Sequence, residues 1–142
     1  TDTAAANTLD DYEEGTWTGT PTFATGSATI GVFTGLYVKI GRQVTLTARW
    51  TLDKNTGSGT FTITGLPFTN GSSQGNYNGA AIGFIQRMGR SGFTVGAVIA
   101  PSTSVLSFKL NDANSANSVV NLIGSDIDAN TSGATFTITY QV

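Results

Sequence analysis

The sequence predicts an all-β protein, an antiparallel β-sandwich of jelly-roll-like form with about eight or nine strands. Three observations point there. Threonine, serine, asparagine and glycine dominate the 142 residues; β-branched Thr fits a pleated surface, while the other three supply turns. Apolar residues alternate with polar ones at period two in run after run, and no stretch of helical length competes. Turn signals return at intervals of roughly 8–15 residues, the spacing of an antiparallel sandwich or barrel. The size is that of one domain able to bury a core unaided. With 39% hydrophobic and 11% charged residues, hydroxyls and amides must carry solubility. No apolar run approaches the roughly 18 residues of a membrane-spanning helix.

Residues 1–8, "TDTAAANT", are small and polar and read as an entering arm. The chain begins at Thr1 rather than Met, without a signal peptide, so a piece of something longer is expected. "LDDYEEGTW" follows, with Gly15 expected to let the backbone bend before a strand beginning at Trp17. The clearest strand is "RQVTLTARWTLD". Val44, Leu46, Ala48, Trp50 and Leu52 share one face, and Thr45, Thr47, Arg49, Thr51 and Asp53 share the other. This strand is expected at the centre of a sheet, its even-numbered residues inward. The turn cluster Asp53 to Gly59 and the resumed alternation of Phe61 and Ile63 suggest a hairpin, which Pro67 then ends. "GAAIGFIQRMG" places Ile82, Phe84 and Met88 on one face, and "GFTVGAVIAP" does so for Phe93, Val95, Ala97 and Ile99; "GRSG" between them has hairpin-loop length. "SVLSFKL" aligns Leu106, Phe108 and Leu110. After the loop "NDANSANS" and the short strand "VVNLIG", a last strand aligns Ala134, Phe136, Ile138, Tyr140 and Val142, which ties the C-terminus into a sheet.

Charge and chemistry narrow the function. Five of the nine acids lie within the first fourteen residues, and residues 15–142 carry four acids against seven Lys and Arg, or +3. Cations so few and scattered do not make a nucleic-acid surface. With no cysteine and no histidine, disulfides, thiol chemistry, zinc fingers and Ser–His or Cys–His nucleophiles are excluded. Asp10, Asp11, Glu13 and Glu14 could supply the carboxylate pair of a glycosidase. They are contiguous in a polar segment, however, and raising a carboxyl pKa for acid catalysis needs burial. Calcium is a second option for these oxygens, or for Asp126 and Asp128, but neither spacing is that of an EF-hand. Solvated charge explains both groups better. Leu9, Tyr12 and Trp17, large apolar groups spaced through charge, suit a segment docked over a domain edge. Tyr77, between Asn76 and Asn78, combines a ring with amides as glycan sites do, although a turn tyrosine at a strand start is the simpler reading. Arg87 and Arg90 could meet an acidic sugar or a lipopolysaccharide phosphate, or be solvated loop charge.

A resemblance adds to this. "NTLDDYEEGTWT", then "GLYVKIGRQVTL" (Gly35 to Leu46) and "ITGLPF" (Ile63 to Phe68), resembles a module of tailed-bacteriophage structural proteins that recurs near the C-termini of tail fibres, tail spikes and related virion fibres, often behind a stem. The acids, Tyr12, Gly15 and Trp17 stand where that family has them; "TWTGTP" departs from it by delaying Pro21 by two residues. The resemblance implies a homotrimeric virion domain. Residues 1–16 would be an arm joining an upstream stem, and residues 17–142 a β-sandwich head. Leu9, Tyr12 and Trp17 would lie at the stem and subunit interface. Attachment to a host-surface polysaccharide, with Asn76, Tyr77, Asn78, Arg87 and Arg90 as binding candidates, is the function expected. The alternative is a purely structural head-decoration fibre or trimerisation domain. A polysaccharide-cleaving spike is the weakest option, since spike enzymes usually carry their acids on a long β-helix. No catalytic residue, metal or cofactor is implied.

Overall fold

The computed structural model describes residues 11–73, 77–91, 93–112 and 119–142. Ten strands run along the described chain: β1 (Tyr12–Trp17), β2 (Thr20–Thr25), β3 (Ala28–Ile40), β4 (Gln43–Lys54), β5 (Ser58–Thr64), β6 (Asn78–Gln86), β7 (Phe93–Ile99), β8 (Val105–Asp112), β9 (Val119–Asn121) and β10 (Ser132–Gln141). A single 3-10 turn, Gly124–Asp126, is the helical element among the described residues. Among the described residues all strand pairings are antiparallel, in the order β1-β3-β4-β10-β6-β7-β8-β5-β2, with β9 on β8. The order curls into a sandwich because β6 serves both walls. Asn78–Ala80 pair with β7, whereas Ala81–Gln86 pair with β10. The all-β sandwich expected from the alternation is therefore the fold, with ten strands rather than eight or nine.

The central strand is as expected. β4 lies between β3 and β10, each paired along nearly its whole length. Val44, Leu46, Trp50 and Leu52 are at most 1% exposed, Ala48 is buried, and Thr45, Thr47, Arg49 and Thr51 face out. Across the core Trp50, Phe61 and Phe108 form a triangle with ring centroids 5.1, 5.9 and 5.4 Å apart, within the range that tilted and edge-on aromatic pairs prefer. Phe136 extends it toward Trp17. The last strand buries Ala134, Phe136, Ile138 and Tyr140, so the C-terminal strand sits in the middle of a sheet.

Four local expectations are corrected. Trp17 closes a strand rather than beginning one: Tyr12–Trp17 is already paired with β3, from Tyr12↔Ile40 to Trp17↔Gly35. The supposed hairpin at Asp53–Gly59 is a crossover between walls. β4 has both flanks occupied, so β5 goes to the opposite wall, between β8 and β2, and Phe61 meets Trp50 in a tilted ring contact across the core. Strand length decided this, because each long pairing of β4 excludes a short neighbour. Third, β6 and β7 pair at Asn78–Ala80 with Ala97–Ile99, at the end away from their loop, and splay toward it. Fourth, Phe84 points out and is 55% exposed. The register with β10 shifts, Thr135↔Phe84 being followed by Phe136↔Ile82, so Gly83 is an extra residue. One inserted residue reverses which face the following side chains take. Ile82 and Ile85 are consequently the ones packed against the core.

β3 carries a second irregularity. A bulge between Ile30 and Val32 precedes an alternation in which Phe33, Gly35, Tyr37 and Lys39 face in, while Val32, Thr34, Leu36, Val38 and Ile40 face out. The strand thus turns its more aliphatic face to the outside. The inner choice follows from Trp17. A Cβ at Gly35 would lie 2.5 Å from Trp17 Nε1, so only glycine lets the indole lie against β3. Tyr37 packs edge-on against Phe68 at 5.3 Å, and the Lys39 ammonium lies 5.8 Å from the same ring. A two-residue turn through Gly41, at φ 56°, then closes the β3–β4 hairpin, a conformation that favours glycine.

Candidate functional site

The sequence candidates fall into three places. In the acidic motif, Tyr12 and Glu14 point outward from edge strand β1, and the Tyr12 hydroxyl donates to the Glu14 carboxylate. That hydrogen bond, with some desolvation and the carboxylate charge, raises the Tyr12 pKa above the ordinary tyrosine value. Gly15 lies against the Tyr37 ring, and Trp17 is packed in its own chain's core, 7% exposed, edge-on to Phe33 at 5.0 Å. Tyr12, 46% exposed, is therefore the exposed ring of this group among the described residues. Leu9 and Asp10 lie outside the described residues. Among those described, no group of three or more Asp, Glu, His or Cys is placed to hold a metal ion.

Tyr77 immediately precedes β6 and is 67% exposed. Its base is stiff. Asn78 donates through Nδ2 to Asn70 Oδ1 at 3.1 Å, and Asn70, 1% exposed, donates through Nδ2 to the Ala100 carbonyl at 3.0 Å. The Asn70 backbone N–H reaches Thr103 O, and Ser102 N–H reaches Asn70 O. Gly71 N–H donates to Gln141 O, and Tyr140 donates its hydroxyl to Phe68 O at 2.9 Å. The loop after β5, the β7–β8 turn and the end of β10 are thus laced together beneath the tyrosine. Such a ring offers a flat apolar surface of the kind sugars stack on. Asn76 lies outside the described residues.

Arg87 and Arg90 stand at the other end of β6, whose nine residues put roughly 27 Å between the ends. One chain therefore cannot bring the arginines and Tyr77 onto one small ligand. Arg90 pairs with Asp126, Nε to Oδ1 at 2.5 Å and Nη2 to Oδ2 at 3.2 Å, and its guanidinium lies 5.7 Å from the Phe93 ring centroid. The Asp126 hydrogen bond and charge raise the Arg90 pKa further above its already high value. Asp126 is itself buried and also accepts from the Ile123 N–H at 3.0 Å. Its oxygens are thus already engaged, while Asp128 caps the Asn130 N–H at 3.1 Å. Arg87 is exposed, at φ 53°, and its carbonyl accepts from Asp128 N–H and the Ser132 hydroxyl. This end is a braced loop on which the Arg87 side chain is exposed.

The sequence reading did not single out the outer face of the β1-β3-β4-β10-β6 wall. It carries a trough of about 560 Å³ lined by Leu36, Thr47, Arg49, Ala81, Thr135 and Thr137. A second, of about 360 Å³, lies against Glu14, Thr16, Leu36 and Val38. Leu36 is common to both. Alternation gives the members of this face, but nothing in the local pattern says that the aliphatic side of β3 points away from the core.

No family model matches the sequence, and no curated protein matches it significantly. Among solved structures, the Dettilon tailspike protein shares the fold. The superposition has a TM-score of 0.73 and covers 91% of this chain at 15% sequence identity. The chain spans 24% of the tailspike's own length.

Proposed function

We propose that this chain is a virion fibre domain of a tailed bacteriophage, a homotrimeric tail-fibre or tail-spike head that attaches to a host-surface glycan. The observation that carries the reading is the fold shared with a tailspike protein over 91% of the chain. Residues 1–16 enter from an upstream stem, the last of them already paired in β1. Tyr77 is the principal sugar contact, because its ring is exposed on a hydrogen-bonded base. Arg87 is a separate contact for acidic sugars at the opposite end. Adsorption competition tests the reading: purified chain added to host cells reduces attachment of the parent particle, and Tyr77→Ala weakens this by roughly tenfold or more, as expected for a lost stacking contact. If the wild-type chain neither competes nor is retained on host polysaccharide, the attachment role falls.

A further inference from the structure

We infer that the outer face of the β1-β3-β4-β10-β6 wall is a self-association surface, covered by a second copy of this chain. The inference rests on the proposed homo-oligomeric fibre for its stoichiometry, whereas the face is identified from the subunit alone. The first observation is the inversion of β3. A strand with one side in a core ordinarily turns its aliphatic face inward, yet Leu36 and Ile40 are 54% and 53% exposed, with Val32 and Val38 beside them. The bulge at Gly83 adds Phe84 at the other margin of the same face. The opposite wall differs. Its outward positions include Thr20, Thr22, Thr62, Thr64, Ser107 and Lys109. Among the described residues the exposed aliphatic groups of that wall are Val119 and Val120 on the three-residue β9, 66% and 36% exposed, whereas Val32, Leu36, Val38 and Ile40 follow one another along β3, and this continuous run marks a side to be covered.

Size and charge select the partner. Five strands at about 4.8 Å spacing, paired over ten residues between β4 and β10 and over fewer at β1 and β6, make a face of at most roughly 20 by 34 Å, about 680 Å² before side-chain relief. That approaches the roughly 800 Å² per partner of a stable protein interface and far exceeds the footprint of one sugar. Between the aliphatic groups lie the small, outward Thr45, Thr47, Thr135, Thr137 and Thr139, which permit close approach. The outward charges of β1 and β4 are Glu14, Arg49 and Asp53; Asp53 accepts from the Thr131 N–H and hydroxyl, while Arg49 and Glu14, of opposite sign, form no ion pair within the described residues. They sit two strands and about four residues apart, a separation of roughly 16 Å, too far to meet within one subunit. A symmetry-related copy can bring Arg49 of one subunit onto Glu14 of its neighbour and repeat the contact around the axis. The face is thus complementary to itself.

The test is sedimentation equilibrium on the 142-residue chain, with circular dichroism confirming that each variant is folded. Wild type is expected to self-associate at micromolar concentration. Leu36→Asp and Phe84→Ser should yield folded monomers or weakened oligomers. Arg49→Glu and Glu14→Arg should each raise the dissociation constant by roughly tenfold or more, and the double exchange should restore much of the loss. A wild-type chain that stays monomeric to about 100 µM overturns both this inference and the homo-oligomeric reading. An oligomer untouched by Leu36→Asp and Phe84→Ser overturns the inference alone. An oligomer lost in both single charge exchanges and not recovered in the double refutes the Arg49–Glu14 contact. Binding of a polysaccharide to a monomer through Arg49 would assign the face to a glycan instead.

Discussion

Replacing Trp17 with alanine tests the link from the entry motif to the core. The indole is 7% exposed, stands edge-on to Phe33 and Phe136, and occupies space that Gly19 and Gly35 leave open. Truncating a core aromatic to Ala costs on the order of 3–5 kcal/mol in transfer and cavity terms. Trp17 Nε1, however, is buried with no hydrogen-bond acceptor among the described residues, and a stranded donor costs about 1–3 kcal/mol that the variant no longer bears. The two opposing terms leave a loss of about 2 kcal/mol, or a fall in Tm of about 7 °C for a chain of this size. Trp17→Phe keeps a ring against Phe33 and removes the orphan N–H, so it should cost under about 1 kcal/mol. The assay is thermal and urea denaturation followed by far-ultraviolet circular dichroism, with amide hydrogen exchange on β1. In Trp17→Ala the β1 amides should lose protection before those of β4. If Trp17→Ala stays within about 1 kcal/mol of wild type, or Trp17→Phe is as damaging as Trp17→Ala, the reasoning fails.

Further predictions concern single groups. Burial pushes the Tyr140 pKa up to about 12, and the hydroxyl donates to Phe68 O in its neutral form. Unfolded tyrosine titrates near 10, so this contribution is intact below about pH 10 and is lost as pH rises toward 12, by about 2–3 kcal/mol. Denaturation curves across that range should show the loss in wild type and not in Tyr140→Phe. Asp126→Ala removes a buried acceptor shared by Arg90 and the Ile123 N–H and should cost about 2 kcal/mol in a urea titration; an unchanged midpoint would show the bracing to be without weight. Exchanging Asp10, Asp11, Glu13 and Glu14 together for Asn or Gln should leave any polysaccharide-degrading activity of the particle unchanged. The wild-type melt should be the same with calcium or with a chelator; a shift on chelation would favour a metal at the motif.

Composition and period-two alternation determined that this chain is all-β, that Val44 to Leu52 forms a central strand, and which of its side chains are buried. Those features depend on local pattern, since ten alternating positions leave one stable way to bury one face. The importance of Trp17 was also visible in the motif. Three things were decided by tertiary structure. β5 crosses to the opposite wall because long pairings with β3 and β10 had already filled both flanks of β4. Phe84 points outward because one extra residue at Gly83 shifts the register with β10. β3 shows its aliphatic side to the outside because Gly35 must yield to the Trp17 ring, which fixes the parity of every residue around it. In each case a contact between residues far apart in sequence selects among options that the local pattern leaves equivalent. The same contacts separate Tyr77 from Arg87 and Arg90 along the length of β6, and they gather Leu36, Arg49 and Phe84 on a face that the sequence alone would have divided between the inside and the outside.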